Sequence, residues 1–189
     1  MRYMIHASPA RMWYVREYLI PSMEAQGIEP HEIVVWNDSE GKGNLFSCME
    51  AFRWCGSTAH EIATPVCGLV RNDKAGDVGT WHLQDDVIIS RRFRELTAEN
   101  DLGVVCGFGC RNFGPDMEMH GELTVPWMWY SFQCIRIPDS LAGECAKWFF
   151  EDAMHRTKYA PQVADRRHDD WFFREFLLEK HRELRITNL

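Results

Sequence analysis

Apolar and polar residues along the chain follow two periods, and the first half switches between them regularly. Residues 2–7 read as a short buried strand. Ser8-Pro9 then reads as a helix start, with Ser as N-cap and Pro at the first helical position. Met12, Val15, Leu19 and Met23 recur at helical spacing after it. Pro21 interrupts that stripe and is expected to kink or split the helix, because its ring displaces a backbone hydrogen bond. Gly27 closes it. Residues 32–37 form the next predicted strand, with Ile33, Val34, Val35 and Trp36 as an unbroken apolar run and Asp38 at its carboxyl end. Gly41 and Gly43 make a turn, and Asn44 opens a helical pattern over residues 45–54.

Strand plus loop is predicted for residues 62–70, a polar loop for 71–79, and a strand for 80–83 that Gln84-Asp85-Asp86 terminates. Residues 102–108 read as a strand, 112–122 as a polar loop, and 127–137 as a long aromatic and branched strand ended by Pro138. Asp139 or Ser140 is expected to cap a helix with the stripe Leu141, Cys145, Trp148 and Phe149. Residues 155–167 read as irregular. Asp169 or Asp170 is expected to cap a last helix carrying Phe172, Phe173, Phe176, Leu177 and Leu184. Alternation of strands and helices predicts an α/β fold, a mostly parallel central sheet flanked by helices, in one domain spanning residues 1–189. Ligands of such sheets bind beyond the carboxyl ends of the strands. Ser8 to Arg11, Asp38 and the Asp85-Asp86 pair fall at that edge.

Composition narrows the function classes. The chain is 46% hydrophobic and 26% charged, which is globular composition. Its formal net charge of −7 argues against a phosphate-backbone binder, and so against nucleic acid as the partner. No apolar run reaches the roughly 18 residues of a membrane span. Residues 1–10 lack the apolar core of a secretory signal, so a cytoplasmic location with reduced thiols is expected for the seven cysteines. Cys106 and Cys110 are spaced CxxxC and no CxxC occurs, which speaks against a structural zinc site. Exposed aromatics among the 13% of ring residues would suit a homo-oligomer.

The chemistry centres on Thr80-Trp-His-Leu-Gln-Asp-Asp-Val-Ile-Ile-Ser90. Two adjacent carboxylates repel each other unless a cation lies beside them. A hard divalent cation such as Mg²⁺ or Mn²⁺ meets that need and can in turn hold a diphosphate. A strand-end turn with solvated Asp residues would use the same two residues.

Leu83-Gln84-Asp85-Asp86-Val87 resembles the strand-end acidic motif of GT-A type glycosyltransferases, which carry Asp-X-Asp or Glu-Asp-Asp there. Gln84 stands where that family more usually has an acid. The order of surrounding features is similar too: a first strand leading to a helix with Arg11, a second strand ending at Asp38, a basic stretch Arg71-Asn72-Asp73-Lys74, and a late helix opening on Asp169-Asp170. The resemblance implies a nucleotide-sugar donor and metal assistance. Asp86, with Asp85, would bind Mn²⁺ or Mg²⁺, and Asp85 would also meet the sugar or ribose. Asp38 would meet the base or ribose, and Ser8, Arg11, Arg71, Asn72 and Lys74 would surround the donor. Asp169 or Asp170 would be the general base of an inverting transfer. Trp127 and Trp129 share one strand face and could stack on an acceptor sugar, or belong to the core. The alternative is a catalytically inactive nucleotide-binding or interaction domain of the same fold. A sugar-phosphate nucleotidyltransferase is disfavoured because the loop after the first strand, His6 to Arg11, has no glycine to wrap a triphosphate.

Overall fold

The computed structural model describes residues 1–38, 41, 43–62, 79–87, 89, 91–98, 104–106, 121–124 and 134–188. Among the described residues seven strands lie in one sheet: β1 (Arg2–Ala7), β2 (Ile33–Asn37), β3 (Gly79–Gln84), β4 (Val104–Cys106), β5 (Gly121–Thr124), β6 (Cys134–Pro138) and β7 (Arg185–Asn188). Their spatial order is β2-β1-β3-β6-β4-β7-β5. The helices are α1 (Met12–Tyr14), α2 (Ile20–Glu24), α3 (Asn44–Ile62), α4 (Phe93–Ala98), α5 (Asp139–Glu151), α6 (Ala160–Asp165) and α7 (Asp169–Lys180).

The fold is α/β, but its sheet is mixed, and this corrects the expectation of a mostly parallel one. Parallel pairing joins β2, β1 and β3, where strands alternate with helices in the sequence. Beyond β3 the strands no longer all run the same way. β6 runs antiparallel to both β3 and β4, and β5 antiparallel to β7, while β4 and β7 are parallel. The sequence reading also missed β7, a four-residue strand following Leu184.

Strand alternation places successive side chains on opposite faces of the sheet. From β1, Tyr3, Ile5 and Ala7 join Val15, Leu19, Met23, Trp81 and Leu83 on one face. Met4 joins the other, where Ile135 and Ile137 pack against α3, α5 and α7. Phe172, Phe173, Phe176 and Leu177 are buried there as their spacing predicts. At the crossing of α3 and α5, Gly56 and Gly143 bring the two backbones together. A Cβ on Gly56 would stand 2.5 Å from the Gly143 Cα.

Three local expectations change. The segment before Gly27 is not one kinked helix. It runs as a 3₁₀ turn (Pro9–Arg11), α1, a π-helical stretch (Val15–Leu19) and α2. Ile20 N–H bonds Val15 O, so the wide turn lies directly before Pro21, which has no N–H to donate. Gly27 does close the segment, at φ 78°. The helix starting at Asp139 takes no side-chain cap. Asp139 is instead buried, accepting hydrogen bonds from Arg2 and from Thr80 Oγ1 at 2.7 Å. Residues 155–167 are not irregular throughout, since they contain a 3₁₀ turn (Thr157–Tyr159) and α6. Among the described residues no helix is long and apolar enough to cross a membrane.

Candidate functional site

Because β1 lies between β2 and β3, the chain leaves β1 toward one side and returns on the other. The carboxyl ends of β1 and β3 therefore border a crevice at the point where the winding reverses, which is where open α/β sheets take ligands. A cleft of about 510 Å³ lies there. The end of β1 contributes His6, Ala7 and Ser8, followed by Ala10 and Arg11. Asp38 comes from the end of β2, Asn44 and Ser47 from the start of α3, Gln84 to Asp86 from the end of β3, and Asp169 from the start of α7. That volume is in the ordinary range for small-molecule sites.

Six residues singled out from the sequence thus meet in one cleft: Ser8, Arg11, Asp38, Asp85, Asp86 and Asp169. Asp170 is the neighbour of Asp169 but does not line the cleft. Arg71, Asn72, Lys74, Trp127 and Trp129 lie outside the described residues. His6, Asn44, Ser47 and Gln84 are cleft residues the sequence reading did not select. Their only signal is position, at the last turn of a strand or the first turn of a helix.

The two adjacent carboxylates have different roles. Asp85 is 6% exposed and tied on both oxygens. Its Oδ2 accepts from Ser8 N–H at 2.7 Å and Ser8 Oγ at 2.8 Å, and its Oδ1 accepts from Arg11 Nη1 at 3.0 Å. The Ser8 hydroxyl expected to cap its own helix is thus spent on Asp85, and the end of β3 is strapped to the end of β1. Asp86 is open, its side chain 48% exposed, with Arg11 Nη1 2.8 Å from Oδ2. Among the described residues, the cation beside the acid pair is the Arg11 guanidinium. Replacing Asp85 with Ala should therefore cost about 2–4 kcal/mol, because it leaves Ser8 and Arg11 without their shared acceptor. Asp86→Ala should stay within about 0.5 kcal/mol of the parent. Thermal melts of the two variants check this, and equal losses would refute the division.

Asp38 serves its own loop as well as the cleft, since its Oδ2 accepts from Gly43 N–H at 2.9 Å. Gly43 sits at φ 86°, and a Cβ there would meet the Arg166 Cβ at 2.8 Å. Arg166, itself left-handed at φ 62°, offers its carbonyl to Leu45 N–H at 2.9 Å in the first turn of α3.

Asp169 is the first residue of α7, after His168 at the N-cap, and is 8% exposed. Burial, and then the Asp170 carboxylate, push its carboxyl up to about 7. Burial raises Asp170 as well, while the Trp171 N–H that it accepts at 2.7 Å pulls it back. Asp169 is thus a carboxyl that exchanges its proton near neutrality and faces a ligand-sized space. The four described free cysteines are buried, and burial lifts their thiols, Cys55 to about 12, which suits packing and not nucleophilic chemistry.

A divalent cation at this site would find one half-exposed carboxylate among the described residues, that of Asp86. Among the described residues no three His, Cys, Asp or Glu side chains converge as a ligand set. Both oxygens of Asp85 already accept hydrogen bonds and lie buried, whereas Asp86 is half-exposed with only its Oδ2 paired among the described residues. One carboxylate plus substrate phosphates is a usual arrangement for Mg²⁺. Comparison of the chain with protein-family models, with curated proteins and with solved structures gives no match.

Proposed function

We propose that this protein is a GT-A type glycosyltransferase that moves a sugar from a nucleotide-diphosphate donor to an acceptor hydroxyl. The observation that carries the reading is the meeting of the Asp85-Asp86 pair with a near-neutral carboxyl, Asp169, across one cleft at the β1/β3 crevice. In this reading the nucleoside end of the donor lies toward Asp38 and the diphosphate toward Arg11 and Asp86. A Mg²⁺ or Mn²⁺ on Asp86 would stabilise the negative charge that develops as the nucleoside diphosphate leaves. Arg11 then changes partner, from the Asp86 carboxylate to a phosphate oxygen, which its planar fork can grip on two atoms. Asp85 keeps the loop after β1 in place and touches the donor less than the family resemblance implies. Asp169, once ionised, takes the proton of the attacking hydroxyl. Asp170 supports it by raising its affinity for that proton.

The acidity of the cleft is a further argument for a cation-bearing ligand. Asp38, Asp85, Asp86 and Asp169 face it with one described guanidinium between them. An anionic diphosphate would be repelled unless a divalent cation came with it. One observation favours the binding-only alternative: the acid pair is already neutralised in part by Arg11.

Calorimetric titration of UDP, GDP and CMP with and without Mn²⁺ tests both readings. One nucleotide is expected to bind at least tenfold more tightly with Mn²⁺, and Asp86→Ala should remove that gain. Hydrolysis of the matching nucleotide sugar then separates an enzyme from a binding domain. A folded protein that binds none of the three with either metal state would end the proposal.

A further inference from the structure

His6, near the end of β1, lines the cleft but has no place in the chemistry above. Its Nε2 lies 2.9 Å from Nδ1 of His82 on β3, and the two rings stack with centroids 5.2 Å apart. His82 is 1% exposed. Among the described residues its Nε2 has no hydrogen-bond partner; it is buried in the interior, where the Phe52 ring packs against the imidazole at 4.9 Å. Of the four ring nitrogens, two bond each other and one is buried. Nδ1 of His6 is left for the cleft.

The pair is uncharged at neutral pH. Burial pushes His6 down to about 4, against the pull of the Asp85 carboxylate, and His82 well below its ordinary value. A neutral imidazole is no counter-ion for a phosphate. The neutral pair carries two ring protons, one of them in the bond between His6 Nε2 and His82 Nδ1. In the form where His6 Nε2 donates, His82 holds its own proton on the buried Nε2 and His6 Nδ1 is an acceptor. In the form where His82 Nδ1 donates, His6 holds its own proton on Nδ1, which is a donor. A phosphate oxygen matches only the donor form and a base N–H only the acceptor form. A hydroxyl matches both.

We propose that His6, oriented by His82, recognises a sugar hydroxyl of the ligand, on either a ribose or a hexose ring. The proposal rests on the cleft being the donor site and adds a specificity residue to it. His6 touches the ligand, and His82 is the positioning residue. Asp85, whose charge reaches His6, already accepts from Ser8 and Arg11, and among the described residues no cluster of three possible metal ligands includes His6.

The test follows the imidazole resonances of isotope-labelled histidine in the intact protein by NMR. The probes carry no phosphate: uridine, guanosine and cytidine, their deoxy forms, and free glucose, galactose and N-acetylglucosamine. His6 is expected to shift with one class, and removal of the contacted hydroxyl should weaken binding about fivefold to tenfold. Response to a ribonucleoside and not its deoxy form assigns a ribose hydroxyl, and response to a monosaccharide assigns a hexose hydroxyl. His6→Phe should abolish the response. His6→Asn places an amide near the Nδ1 position and should restore binding to within a few-fold, which a merely structural role would not do. His82→Phe should keep the fold and weaken the same probe by a similar factor.

A His6 shift produced by Mg²⁺ alone would overturn the proposal in favour of a metal ligand. So would unchanged probe and nucleotide affinity in folded His6→Phe. Because these probes lack a diphosphate, a positive response without nucleotide binding would retain the hydroxyl site and remove the donor reading. Nucleotide binding that is indifferent to His6 would do the reverse.

Discussion

Replacing Asp169 with Asn is expected, under the proposed transferase reading, to slow sugar transfer sharply and, above neutral pH, to raise the melting temperature. Both effects come from the raised affinity of this carboxyl for its proton. The unfolded chain ionises Asp169 near 3.8, whereas the folded one does so near 7. Between those values the unfolded state gives up the proton that the folded state keeps, so stability falls as pH rises through this window and stays low above it. At pH 8 the burial of the ionised group costs on the order of 3–4 kcal/mol. Asn cannot ionise, and its carbonyl can still accept the backbone N–H groups at the start of α7. A gain of about 2 kcal/mol at pH 8, or roughly 4–8 °C in a domain of this size, should shrink to nothing by pH 4. Loss of the general base should lower turnover by about 10²–10⁴ at saturating donor. Melts at the two pH values and single-turnover rates measure the two halves separately. A pH-independent change in melting temperature would show that the Asp169 carboxyl titrates normally, and full turnover in the variant would remove it as the base.

The second large effect lies far from the cleft. Gly56→Ala should destabilise the protein by about 3 kcal/mol, although alanine in an exposed helix position gains about 1 kcal/mol over glycine. The added Cβ would stand 2.5 Å from the Gly143 Cα, a backbone atom that cannot rotate away. To relieve the contact α3 and α5 must separate, and Leu45, Phe52, Cys145 and Phe149 sit in the cluster they close. Gly143→Ala faces a 2.8 Å contact with the Gly56 Cα and should behave alike. A fall of roughly 6–12 °C in thermal melts is expected for either substitution. A rise would mean that helix propensity outweighs the crossing.

What the sequence disclosed follows from how local each signal is. The β1 and β3 strands, the stripe of Val15, Leu19 and Met23, and the buried face of α7 depend on periodicity within one element, and they were legible. So was the convergence of Ser8, Arg11, Asp38, Asp85 and Asp86, because alternating elements place strand ends at one edge. The direction of β6 was not, since a run such as Ile135 to Ile137 looks the same in either orientation. Partner choice was also hidden. Ser8 looks like a cap and Asp139 like another, yet each spends its side chain on a residue far away in the chain, Asp85 and Arg2 respectively. The histidine pair could not be read either, because His6 and His82 become neighbours only through the register of β1 with β3.

The contact of Gly43 and Leu45 with Arg166 gives the cleft a further property. Asp38 and Asp169 approach from different parts of the chain, yet the loops bearing them are joined by the Leu45 N–H to Arg166 carbonyl bond and by a packing contact that admits no side chain at residue 43. The segments bearing Asp38 and Asp169 are therefore tied to each other, so a ligand that spanned both carboxylates would lose little ordering entropy in bringing them together.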